Sequence, residues 1–225
     1  MNLLIVAATK LEIKPFLKNI YCHDIDNKSI NSFIYNDLHI DILITGIGLI
    51  FTTFQLTKAL NEKKYDLIFN VGIAGSFNRN IQIGNIVHVV SEELADLGIE
   101  NQKNFQTLFD SGFMAPDTFP FIEGKLKSSA IDNKELNTLP KVNAISANTA
   151  HGNKKTIKSI HKKFNPDIET MEGAAFFYVC LMENVNFIQL RGISNYVESR
   201  NAEKWNIPLA INNLAQKLIQ ILDSI

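Results

Sequence analysis

The stretch "LLIVAATKLEI", residues 3–13, decides how the rest of the chain reads. Positions 3–8 are apolar without helical period, and positions 11–17 then read as a helix carrying Glu12 in its first turn. The order is strand, loop, helix. It returns at residues 38–45, which end in "TGIG" and are followed by the helical stripe Leu49, Thr52, Thr53, Leu56, Ala59 and Leu60. "YDLIFNVGIAGS" then gives an apolar run at 67–71, broken by Gly72 and Gly75, and 86–90 is a β-rich run. Farther on, the pattern predicts strands at 142–146, 168–171 and 187–193. It predicts helices at 154–163, 173–182 and about 208–222, the last with Pro208 in its first turn. Strands alternating with helices imply an α/β fold: three layers, α/β/α, around a mixed and largely parallel sheet, in one domain spanning 1–225. Residues 96–140, with Gly112, Pro116, Pro120 and Gly124, break the alternation, and their length reads as a functional loop or lid.

Composition narrows the function. Lys plus Arg number 22 and Asp plus Glu 23, a net charge of −1 that recommends neither nucleic acid nor an anionic membrane as partner. A small molecule is the expected partner. Cys22 and Cys180 form no disulfide framework, redox pair or zinc site, which fits a reducing cytosol. "LLIVAA" is far short of a membrane span and has neither the basic leader nor the cleavage site of a signal peptide. His23, His39, His88, His151 and His161 lack ligand spacing, so no metal is expected, and no cofactor either. The sequence also lacks a nucleophile elbow, a phosphate-binding P-loop and a dinucleotide-binding glycine fingerprint.

Sheets of this type bind ligands in the crevice beyond the carboxyl ends of their strands. Glu12, Gly46 and Gly48, Gly72 to Gly75, Asn148 to His151, Glu172, and Ser194 with Asn195 all follow predicted strand ends. Each has two readings. Gly72, Ala74 and Gly75 form either a tight strand-to-helix turn or a backbone laid against a ligand. Glu12 is a solvated helix residue or a catalytic carboxylate. Glu172, set between Met171 and Gly173-Ala174-Ala175, needs partners in apolar surroundings, either free amides at a helix start or a substrate. Asn195 caps a turn or holds a ligand, and His151 is left open as a loop residue.

Taken together, "AATKLEI", "TGIG", "NVGIAGS", "ETMEGAA" and "RGISN", in this order and spacing, resemble the purine nucleosidase and nucleoside phosphorylase superfamily. Within it, "LIVAATKLEI", "IETMEGAA" and "ISNYVESRNAEKWNIPLAI" look most like the futalosine hydrolase branch, related to methylthioadenosine/S-adenosylhomocysteine nucleosidase. The resemblance implies hydrolysis of an N-ribosidic bond, with Glu12 activating water and Arg191 near that water. It implies that Met171 packs on the ribose and Glu172 accepts its hydroxyl hydrogens. Gly72, Ile73, Ala74 and Gly75 match the glycine loop of the relatives, with Ile73 where a water-contacting serine would stand. Thr149, Ala150, His151 and Ser194 complete the implied substrate wall. A homodimer or higher homo-oligomer is the expected assembly.

The chemistry assigns Asn195 to the leaving base. The resembling adenine-nucleoside enzymes carry Asp there, whereas an amide donates to a 6-oxo group and accepts from a protonated N7, which favours hypoxanthine. A mismatch costs about 1–3 kcal/mol, at least roughly tenfold in rate. An amide supplies no proton, so N7 takes one from solvent or a relay. Phosphorolysis needs a cationic cradle, and the chain has only Arg79, Arg191 and Arg200, so water is the expected nucleophile. The benzoate of futalosine is expected to meet Arg200 or Lys204, with Tyr196, Phe113 or Trp205 as apolar wall; the other reading of Arg200 is a surface arginine paired with Glu198. Against this stand a methylthioadenosine nucleosidase, a purine nucleoside phosphorylase and, in another class, a nucleoside-binding protein without turnover.

Overall fold

The computed structural model describes residues 1–20, 30–101, 104–199 and 205–225. Along the chain run β1 (Asn2–Ala7), α1 (Lys10–Asn19), β2 (Ile30–Tyr35), β3 (Leu38–Ile44), α2 (Leu49–Glu62), β4 (Leu67–Ser76) and β5 (Ile86–Leu94). Then follow β6 (Gly98–Asn101), β7 (Asn104–Thr107), β8 (Leu126–Lys127), a 3-10 turn (Leu136–Thr138) and β9 (Lys141–Ser146). The order closes with α3 (Lys154–Phe164), β10 (Ile168–Thr170), α4 (Gly173–Met182), β11 (Phe187–Tyr196) and α5 (Ile207–Leu222).

The principal sheet runs β10-β9-β5-β11-β4-β1-β3-β2, with β8 added to β5. β1 pairs in parallel with β3 and β4, β4 with β11, and β9 with β5 and β10. The pairs β2–β3, β5–β11, β5–β8 and β4–β10 are antiparallel. The sheet is therefore mixed, as the alternation of elements predicts. Because β10 pairs with β9 on one side and with the end of β4 on the other, strands β4, β11, β5, β9 and β10 close into a ring.

The two faces carry separate cores. One joins Leu4, Val6, Leu56, Ala59 and Leu60 to Phe176, Phe177 and Phe187 under α2 and α4. The other joins Leu3, Ile5, Ile13 and Phe16 to Leu214, Leu218 and Ile221 under α1 and α5. Phe176 and Phe177 meet Phe187 edge-on at 5.5 and 4.7 Å between ring centres, which locks α4 onto the sheet. Helix starts are capped from the sequence: Asn153 accepts from Lys155 N–H at 2.9 Å, and Asn206 accepts from Leu209 N–H at 3.2 Å.

Three expectations change. β4 does not stop at Val71 but continues as strand through Ser76, so Gly72 to Gly75 are not a strand-to-helix turn. Their backbone stays extended because β11 pairs with it along its length. Residues 96–140 are not a structureless loop. They hold the β6–β7 hairpin and β8, and they send Phe121, Leu126 and Leu136 into the cores. β11 likewise runs past Ile193 to Tyr196, with a bulge between Ile193 and Asn195.

Candidate active site

The ends of β1, β4, β10 and β11 surround a cavity of about 550 Å³. Glu12, Ile73, Ala74, Gly75, Ala150, His151, Met171, Glu172, Ser194 and Asn195 all line it. Tyr196 and Trp205 line it too, together with Arg79, Glu169 and Glu198. No residue of 96–140 is in its wall among the described residues, and Phe113 is 73% exposed. Arg200 and Lys204 lie outside the described residues.

Glu12 is 8% exposed, not a solvated helix residue. Thr9 opens α1, and its backbone N–H and hydroxyl both donate to Glu12 Oε2 at 2.9 Å. This is the reciprocal contact of a capping box, made by a glutamate three residues into the helix. The other oxygen, Oε1, accepts from Ile73 N–H at 3.1 Å. Ile73 thus serves the site through its backbone, while its side chain faces the cavity in place of a serine.

Glu172 sits at the N-cap of α4 and is 6% exposed. Its Oε1 accepts from Gly48 N–H at 3.0 Å, and Gly48 holds φ +104°, a conformation that glycine adopts without penalty. Burial pushes the Glu172 carboxyl above its ordinary pKa, and the nearby Glu12 charge adds to the rise. Arg191 and the Gly48 and Met171 amides pull the other way. The carboxylate is desolvated yet paired, a group poised to accept hydrogen bonds from a ligand.

Arg191 reaches the site from behind its wall. It is 1% exposed and lies behind the cavity wall, its Nη2 held by a short contact to Asn70 Oδ1. A Cβ on Gly72 would press on Arg191 Nη1 and come 2.7 Å from Glu12 Oε1. Gly72 is therefore the gap through which the guanidinium approaches Glu12. Neither Arg191 nor Gly72 forms part of the cavity lining, and Thr149 is exposed outside it.

The bulge in β11 aims Asn195. Ile193 pairs with Ala74 and Asn195 with Gly75, so Ser194 is the extra residue. Ser194 Oγ donates to Asn195 Oδ1 at 2.8 Å, and Asn195 Nδ2 donates to Tyr196 O at 3.1 Å. The amide keeps one N–H and one lone-pair direction for a ligand.

Two carboxylates escaped the sequence reading. Glu169 lines the cavity from the middle of β10 and holds His151. Glu92 is 0% exposed, with its carboxyl raised to about 7 by burial, against the pull of Gln189, Ser146, Arg191 and Thr170. It accepts from Gln189 Nε2 at 2.7 Å, Ser146 Oγ at 2.8 Å and Thr170 Oγ1 at 3.1 Å. Ser146 Oγ in turn accepts from Ala174 N–H at 2.8 Å and Thr170 Oγ1 from Gly173 N–H at 3.2 Å. Glu92 thereby fixes the turn that presents Met171 and Glu172. The sequence signal was a strand end at Val90, four residues short of the observed end at Leu94.

Relatives carry the same architecture. A methylthioadenosine/S-adenosylhomocysteine nucleosidase of Buchnera aphidicola subsp. Baizongia pistaciae is 25% identical, aligned over 98% of this chain and 89% of that protein. A futalosine hydrolase of Acidothermus cellulolyticus is 26% identical over 77% of this chain and 71% of that protein. Among solved structures, a mutant Helicobacter pylori methylthioadenosine nucleosidase with 5'-methylthioadenosine in its active site superposes with a TM-score of 0.84. Its identity is 18%, and 100% of this chain and 99% of that chain are covered. The native futalosine hydrolase of H. pylori gives 0.82 at 18% identity, covering 100% and 98%. The sequence pattern of the phosphorylase superfamily matches residues 2–225, and with the sheet, the ring and the cavity in place, this chain belongs to that superfamily.

Proposed function

We propose that this N-glycosyl hydrolase cleaves the N-ribosidic bond of futalosine, releasing hypoxanthine and dehypoxanthine futalosine in menaquinone biosynthesis. The observation that carries the reading is Asn195, an amide held over Gly75 at the cavity wall. Breaking the bond leaves positive character on the sugar and negative charge on the purine, as in other oxocarbenium-like glycoside cleavages. Glu172 accepts hydrogen bonds from the ribose hydroxyls, Met171 packs on the ring, and Glu12 takes the proton of the attacking water. Ile73 N–H holds the Glu12 carboxylate in place, with the Arg191 guanidinium behind Gly72.

On the base side, Asn195 donates to the 6-oxo group and accepts from protonated N7. A carboxylate-bearing substrate asks for a cation, and among the described residues Arg79 is the arginine or lysine in the cavity wall. It is stacked 4.3 Å over Tyr196 and paired with Glu198 at 2.7 Å. Methylthioadenosine/S-adenosylhomocysteine nucleosidase is the second reading, favoured by relatives of that name. As assembly we propose a homodimer through α2, whose Ile50, Phe51 and Phe54 are exposed beside Ile47 at the cavity mouth.

The test is to incubate the protein with futalosine, inosine and methylthioadenosine, with and without phosphate, and to follow the free base and the sugar product by chromatography. Hypoxanthine from futalosine at equal rates in both buffers is expected. A phosphate requirement sinks the hydrolytic mechanism, faster adenine release sinks the substrate assignment, and no release leaves a binding protein.

A further inference from the structure

Asn195 has a counterpart across the floor of the cavity. Gly75 pairs with Glu169 of β10 on one side and with Asn195 of β11 on the other. Directly paired residues send their side chains to the same face, and two strand spacings separate the outer pair by about 10 Å. The central position has no side chain, and a Cβ there would come 3.1 Å from Asn195 Nδ2. The row is a slot with a bare floor and a polar wall at each end. At the far wall, Glu169 Oε1 accepts from the His151 backbone N–H at 3.0 Å, and Oε2 meets His151 Nδ1 in a short contact. The two side chains are 11% exposed for His151 and 7% for Glu169, and both residues line the cavity.

A carboxylate on Nδ1 keeps the proton on that nitrogen, so a neutral ring offers Nε2 as an acceptor. Nε2 makes no hydrogen bond among the described residues. We infer that His151, positioned by Glu169, reads the N1 edge of the base, its Nε2 accepting from the N1–H of a 6-oxopurine. A 6-aminopurine has a bare N1 and sets lone pair against lone pair. Asn195 then reads one flank of the 6-substituent and His151 the other, which gives the slot two independent checks for hypoxanthine. The inference deepens the proposed function and rests on it.

Calorimetric binding of free bases, separate from turnover, tests it. Wild-type protein is expected to bind hypoxanthine at least roughly tenfold more tightly than adenine or 1-methylhypoxanthine, which lacks N1–H. His151→Phe closes the gap between hypoxanthine and 1-methylhypoxanthine. Glu169→Ala weakens hypoxanthine and leaves 1-methylhypoxanthine unchanged, and Glu169→Gln, whose carbonyl still accepts from Nδ1–H, recovers part of the loss. A purely structural role would weaken all three bases together. Equal wild-type affinities for hypoxanthine and 1-methylhypoxanthine overturn the inference even if both variants fail to fold, as does a gap that survives in His151→Phe. Failure of the nucleosidase reading appears instead as absence of base release from futalosine and inosine.

Discussion

Glu12 and Glu172 face one cavity, and their surroundings separate the duties proposed for them. Glu12 is held by Thr9 and by the Ile73 amide, so Glu12→Gln keeps the shape of the contact and loses the base. Its kcat is expected to fall about 10²–10⁴-fold with KM little changed, measured by steady-state base release. Glu172 has a carboxyl raised by burial, and the acceptor role proposed for it needs the charged form. Activity therefore falls as pH drops, beginning above the ordinary carboxylate range. A kcat/KM profile should show this acid limb in the wild type and lose it in a much weaker Glu172→Gln variant. Asn195→Asp exchanges an obligate donor for an acceptor and should move the hypoxanthine-to-adenine preference toward adenine by roughly tenfold or more. Glu172 and Asn195 stood out in the sequence as polar groups set against apolar runs, whereas Glu12 was legible only through the resemblance to the superfamily. Arg191 was legible through the resemblance, and its burial behind Gly72 came only with the fold, since strand alternation does not tell a cavity wall from the layer behind it.

At the level of elements, the turn between β10 and α4 depends on Glu92. Its carboxyl is raised to about 7 from an unfolded value near 4.5, so the folded state binds the extra proton between those values. Stability is fully present below the lower value and declines as pH rises through about 7. The loss is on the order of 3 kcal/mol. Glu92→Gln should flatten that decline in thermal melts taken from about pH 4.5 to 8, whatever its absolute stability. Gly173 lies directly against Glu92 Oε1, so Gly173→Ala should destabilise the protein and lower activity together. The alternation of apolar runs located the central strands and each of the helices α1 to α5. It missed β2, the β6–β7 hairpin and β8, which are short and partly solvated. It also ended β4, β5 and β11 early, because glycines and polar residues inside a paired strand look like breaks when the partner strand is not in view.

The whole molecule brings distant segments together by closing β10 against β4, and this could not be read from the sequence. Local pattern predicts a short strand at 168–171, observed as Ile168–Thr170; it does not show that Glu169 and Asn195 meet the same glycine. The fold class was legible because the order of elements encodes it, and the cavity's location follows from strand ends. The hairpin and core contacts within 96–140 were not, since its strands are short. Assembly belongs to this scale as well. The apolar face of α2 leaves Ile50 77% and Phe54 66% exposed, and light scattering should give twice the chain mass for the wild type and a smaller species for Phe54→Glu.

The central claim, a nucleosidase whose slot selects a 6-oxopurine, is tested most directly by competition. Futalosine and its 6-amino counterpart are mixed at equal concentration in phosphate-free buffer, and the two free bases are quantified at early times. Hypoxanthine is expected ahead of adenine by at least roughly tenfold. Adenine appearing as fast as hypoxanthine, or faster, contradicts it.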